Sequence, residues 1–118
     1  MKRQPEVYLE IARAALIKVQ SFLGDATEQS YLTDDFRQSA VERQLEIAGD
    51  ALGQVRKIDE ALFMRIPDGH VVVAFRNVLA HGYASLDHRI VYAAARNRAP
   101  QLLRVLEELI SEYPDEGL

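Results

Sequence analysis

Apolar side chains return at steps of three and four along most of the chain, the spacing that lines one face of an α-helix. Tyr8, Ile11, Ala12, Ala15, Leu16, Val19, Phe22 and Leu23 form the first such stripe. Pro5 suits its first turn and Gly24 its end. Residues Asp25 to Asp35 are small, polar and turn-forming around an isolated Tyr31–Leu32 pair, so they read as a connection, with Thr33 or Asp34 placed to cap the next helix. Val41, Leu45, Ala48, Leu52 and Val55 then mark a longer helix, while Arg43, Glu46, Asp50 and Lys57 project from other faces. Gly53 is its weak point, costing up to roughly 1 kcal/mol relative to alanine. Pro67-Asp68-Gly69 is a turn, and Asp68 is placed to cap a third helix from about His70 to Ala80 or His81. Val71-Val72-Val73 favours a strand on propensity alone, but a strand leaves Ala74 to Ala80 unexplained. Asp87 opens a short fourth helix, and Pro100 starts a fifth along Leu102, Leu103, Leu106, Leu109, Ile110 and Tyr113. The pattern predicts an all-α, up-and-down bundle of about five helices, a single domain over residues 1–118.

Composition narrows the chemistry. With no cysteine there is no disulfide framework, no thiolate metal site and no cysteine nucleophile. Glu6 and Glu10 interrupt the apolar positions behind Lys2 and Arg3, unlike a secretory signal, and no apolar run approaches the roughly 20 residues that cross a bilayer. The cytoplasm is the expected compartment. A net charge of −4 argues against generic phosphate binding, yet residues 65–104 carry six arginines against two aspartates and all three histidines. The final fourteen residues carry five acids and no base.

The residues richest in chemistry are Arg76-Asn77-Val78-Leu79-Ala80-His81-Gly82-Tyr83. Arginine is a permanent cation whose fork of donors matches phosphate, and histidine exchanges protons near neutral pH. Asn77 and His81 are i, i+4 neighbours, so the amide is placed to orient the ring. Arg76 and His81 stand roughly 140° apart on an ideal helix and share no face. An arginine and a histidine at a helix C-terminus also serve simply to complement its dipole and last carbonyls.

This segment resembles the R-x4-H-x-Y motif of the HEPN superfamily, in its fuller form of Arg76-Asn77 with His81-Gly82-Tyr83. Ile66-Pro67 lies at the usual distance before it, and Ala40-Val41-Glu42-Arg43 through Leu45-Glu46-Ile47-Ala48-Gly49-Asp50-Ala51 is similar to the second-helix signature of the HepT branch. The similarity spans roughly residues 5 to 113. It implies a helical homodimer with two motif copies beside each other in a cleft at the subunit interface. It also implies metal-independent RNA cleavage without a cofactor, by a toxin of a type VII-like toxin–antitoxin pair. Arg76 and His81 would be the catalytic residues, supported by Asn77 and Asp50. The antitoxin would be a minimal nucleotidyltransferase that transfers AMP to Tyr83.

Arg43, Glu46 and Asp50 read as a solvated row, although the family signature places one of them toward the cleft to hold Arg76. His88, Arg89, Arg96 and Arg98 are a possible basic rim for an RNA backbone, and the acidic tail would repel RNA or meet a partner. Two other classes stay open: a catalytically silent module that binds a nucleotide or docks a nucleotidyltransferase, and a plain helical adaptor.

Overall fold

The computed structural model describes residues 4–81 and 86–114. Among these residues every regular element is helical. α1 (Pro5–Leu23) ends at Gly24, whose φ of 54° lies in the left-handed region open to glycine, and the Gly24 amide donates to the Gln20 carbonyl. The expected connection holds a single turn, α2 (Glu28–Tyr31), capped reciprocally by Thr27 and Ser30. Tyr31, the isolated aromatic of that stretch, is fully buried. α3 (Asp35–Ile58) opens with Asp34 accepting from the Arg37 amide, and α4 (Glu60–Phe63) is a second single turn, capped by Asp59. Arg37 also ties α3 back to α1 by donating to the Phe22 and Leu23 carbonyls.

α1 and α3 form the spine. Leu9, Ala12, Leu16, Val19 and Leu23 face Val41, Leu45, Ala48, Leu52 and Val55, and all ten are buried. Filling such a side chain into the core stabilises by about 1.5–3 kcal/mol for the larger ones. α7 (Ala99–Ser111) covers α1 from another side with Leu103, Leu106 and Leu109.

α6 (His88–Ala93), capped by Asp87, does not stop before α7. The expected fourth and fifth helices are one rod, joined by a π turn over Ala94–Arg98 in which the Ala99 amide reaches the Ala94 carbonyl. The buried positions explain the turn. Val91, Ala95, Ala99 and Leu103 recur every four residues, a step that drifts about 40° per repeat on an ideal α-helix. The wider π turn absorbs that drift and keeps the four on the core side. It also makes room before Pro100, whose ring would otherwise press on the Arg96 carbonyl.

α5 (Gly69–His81) packs along α3. Asp68, just before it, has a φ of 59°, which aspartate tolerates; its carbonyl accepts from the Val71 and Val72 amides while its carboxylate meets Arg98 at 3.2 Å. Only Gly69 and Leu79 of α5 are buried, and Val71 and Val78 stay about half exposed. No helix among the described residues is long and apolar enough to cross a membrane.

Candidate active site

α5 reaches α3 at Gly49. A Cβ at this glycine would collide with the Arg76 Cβ and crowd the Val72 carbonyl, so the helices approach this closely only because position 49 has no side chain. The approach lays the Arg76 side chain along α3, where its Nε sits 2.7 Å from Oδ1 of Asp50, the next residue after the glycine. The Nε is buried and its N–H is not aligned with the carboxylate, so the contact is an ion pair rather than a good hydrogen bond. Arg76 Nη1 donates to the Asn77 Oδ1 at 3.2 Å. The arginine is thus held from two sides with about a quarter of its side chain open to solvent, while the Asp50 side chain is 56% exposed.

His81 is the last residue of α5 and is exposed. α5 runs as a regular helix to this point, so Arg76 and His81 keep different faces within one chain. The carbonyl oxygen of Asn77 is turned to Arg76. Gly82 and Tyr83 lie outside the described residues, and with them the position assigned to AMP transfer.

The four residues of the suggested basic rim are not brought together. Arg96 is built into the fold: its guanidinium donates to the Gly24 and Ala26 carbonyls and the Tyr92 hydroxyl, holding the turn after α1 against the rod. Arg98 pairs with Asp68, and Arg89 is exposed near the start of α6. His88 turns inward to α3, with Nδ1 2.9 Å from Glu42 Oε2 and its ring edge-on to buried Tyr31. Burial pushes the Glu42 carboxyl above the ordinary glutamate range, partly opposed by His88, and burial raises the Tyr31 hydroxyl with help from the Glu42 charge. At the acidic end of the chain, Glu112 makes a two-pronged pair with Arg65 at 2.9 and 2.6 Å, which holds its carboxyl below the usual range.

Two hollows flank this region. One, of about 570 Å³, is an apolar groove between α5 and the α6–α7 rod, with Val71, Val72, Phe75, Ile90 and Leu102 among its walls and Leu45 also reaching it. The other, of about 440 Å³, is an open groove between α1 and α3 lined by Tyr8, Ile11, Ile47, Asp50, Ala51 and Gln54. Gly49 as a contact, the Glu42–His88 pair and this second groove depend on tertiary packing and are absent from the sequence pattern. Gly49 did carry a signal, a glycine inside a helix and next to the acid that holds Arg76.

Comparison with known proteins agrees with the motif. The chain is 29% identical over 109 residues to a Thermococcus cleftensis protein named as probable ribonuclease HepT, covering 92% of this chain and 98% of that one. It is 28% identical over 97 residues to a protein of Methanocaldococcus jannaschii named as a candidate RNase, covering 80% of this chain and 78% of that one. A second protein of that organism, named as a gamma-glutamylcyclotransferase and candidate RNase, is 25% identical over 113 residues, 92% of this chain but half of its own length. No solved structure matches the chain. The family pattern described as Ribonuclease HepT-like covers residues 12–109. With Arg76 seated on Asp50 and His81 closing the same helix, the chain belongs to the HepT-like ribonuclease family.

Proposed function

We propose that the protein is a metal-independent endoribonuclease, the toxin of a type VII-like toxin–antitoxin pair, with Arg76 and His81 as its catalytic residues. The observation that carries this reading is the seating of Arg76: a guanidinium fixed by Asp50 and Asn77 with one side open, on the helix that presents an exposed histidine at its end. A base removes the proton of a ribose 2′-hydroxyl, the oxygen attacks the adjacent phosphorus, and an acid protonates the departing 5′-oxygen. Negative charge builds on the phosphorane oxygens, where a fixed guanidinium stabilises it. The products are a 2′,3′-cyclic phosphate and a 5′-hydroxyl.

The two proton transfers need two groups, and one chain presents Arg76 and His81 on different faces. A homodimer resolves both points by bringing two copies of each to one cleft. The half-exposed valines of α5 and the apolar groove beside them support pairing through this helix. Tyr83, two residues past His81, is proposed to receive AMP from a minimal nucleotidyltransferase antitoxin. The added phosphate and bulk would neutralise and block the arginine cleft.

The test is incubation of purified protein with total RNA in excess chelator, beside folded Arg76→Ala and His81→Ala proteins. Cleavage by the parent alone, leaving cyclic phosphate ends, is the expected result. Equal cleavage by all three, or none, removes these residues as catalysts and leaves a module that docks a nucleotidyltransferase or binds a nucleotide.

A further inference from the structure

We propose, resting on the ribonuclease reading, that Glu46 is the general base of the cleavage step, a role which that reading leaves unassigned. It would take the proton of the ribose 2′-hydroxyl beside the phosphate that Arg76 holds. The place of Glu46 on α3 carries this. Gly49 meets the Arg76 Cβ and Asp50 meets its Nε, and on an ideal helix residue 46 falls between those two, about 60° from the first and about 40° from the second. Along the axis it stands one turn, about 6 Å, from Asp50. Glu46 therefore borders the seat of the arginine, where the hydroxyl next to a bound phosphate must lie.

The other carboxylates on this side of α3 are already committed. Glu42 turns to His88 Nδ1 at 2.9 Å, and Asp50 holds Arg76 at 2.7 Å. Glu46 is left, among the described residues, with a 3.4 Å contact to Nη1 of Arg43, whose own side chain is 63% exposed. The Glu46 side chain is mostly covered but stays reachable, with 24% of it open. An ionised carboxylate can only accept, so a hydroxyl that meets it donates. His81 lies on a different face of α5 from Arg76, so the imidazole that serves as acid comes from the second copy in the proposed dimer.

The step balances with these two groups. The Glu46 carboxylate takes the 2′-hydroxyl proton as the 2′-oxygen bonds to phosphorus. The bond from phosphorus to the 5′-oxygen breaks, its electron pair stays on that oxygen, and a protonated His81 gives the oxygen its proton. Both groups end neutral, and proton exchange with water restores them. A carboxyl group loses its proton at lower pH than an imidazole does, so between the two ranges one is base while the other is acid.

The test uses the protein as purified, in excess chelator, with a short single-stranded RNA that has one cleavable linkage. A second form of the RNA carries sulfur in place of the departing 5′-oxygen, because a thiolate leaves without help from an acid. His81→Ala should be slow on the oxygen substrate and recover on the sulfur one. Glu46→Gln, nearly the same in shape, should be slower than the parent by about 10²–10⁴-fold on both. It should also lose the decline of kcat/KM toward low pH, yet bind an uncleavable 2′-deoxy analogue as tightly as the parent does. Arg43→Ala, which removes the ion-pair partner of Glu46, should keep that decline. Parental rates in Glu46→Gln, its recovery on the sulfur substrate, or an equal loss of kcat in Arg43→Ala overturns the assignment and leaves the nuclease reading standing. A parent that cleaves neither substrate overturns both.

Discussion

α3 meets two neighbours in opposite ways. Toward α1 it presents a continuous buried stripe, Val41 to Val55, interlocked with side chains that are themselves almost wholly buried. Toward α5 it presents a glycine and a carboxylate, and the helix that settles there buries little beyond Leu79 and its first residue. The first contact is a hydrophobic weld. The second is a close backbone approach that aims one cation. One helix can therefore carry both stability and chemistry, because its period separates the two jobs by angle rather than by position along the chain.

That contrast predicts unequal responses to mutation. Leu52→Ala, on the α1 side, should cost about 2–5 kcal/mol in urea unfolding, because a fully buried side chain leaves a cavity. Val78→Ala, half-exposed in one chain and on the helix proposed to pair, should cost less, about 0.5–1.5 kcal/mol, and a cost as large as that of Leu52 would erase the distinction.

The two glycines of α3 sharpen it further. Gly49→Ala forces a methyl into the Arg76 Cβ and should cost about 1–3 kcal/mol, with loss of any RNA cleavage that depends on Arg76. Gly53→Ala meets nothing within 4 Å and should instead stabilise by up to about 1 kcal/mol, leaving cleavage unchanged. Melting curves and cleavage rates of the pair separate a local helix effect from a seating effect.

The smallest effect concerns Glu42, where α6 is pinned to α3. Its carboxyl is raised in the folded state, so the folded protein binds a proton more tightly than the unfolded chain does. Stability from this group is present at low pH and is lost as pH rises from the ordinary glutamate range through the raised value. Glu42→Gln should flatten that decline in a pH series of unfolding midpoints, and an unchanged slope would show that His88 fully compensates the burial.

Much of the helical pattern was legible in the residues. The α1 and α3 spans follow from stripe spacing, the α5 span from the turn at Pro67-Asp68-Gly69 before it, and Asp34 and Asp87 cap where their identity suggested. Other features escaped it for identifiable reasons. Tyr31 looked like a loop residue because its burial comes from packing with Tyr92 and His88, far along the chain. Pro100 does stand in the first turn of α7, but spacing did not show that a π turn over Ala94–Arg98 joins α6 to it in one rod. Arg96 looked like a phosphate ligand, yet three acceptors from the turn after α1 and from Tyr92 occupy it.

The sequence by itself determined the helical class, the main spans and the segment that carries Arg76 and His81, since these depend on local periodicity and on residue chemistry. Tertiary structure decided which charges act together. Among Arg43, Glu46 and Asp50, offered by the family signature to hold Arg76, packing selects Asp50, and Glu42 with His88 and Arg65 with Glu112 are pairs between elements separated by up to 47 residues. Local spacing does not encode such pairings; they arise when packing of the apolar faces sets the angle and distance between helices, and here the missing side chain at Gly49 lets α5 settle on α3 at Arg76.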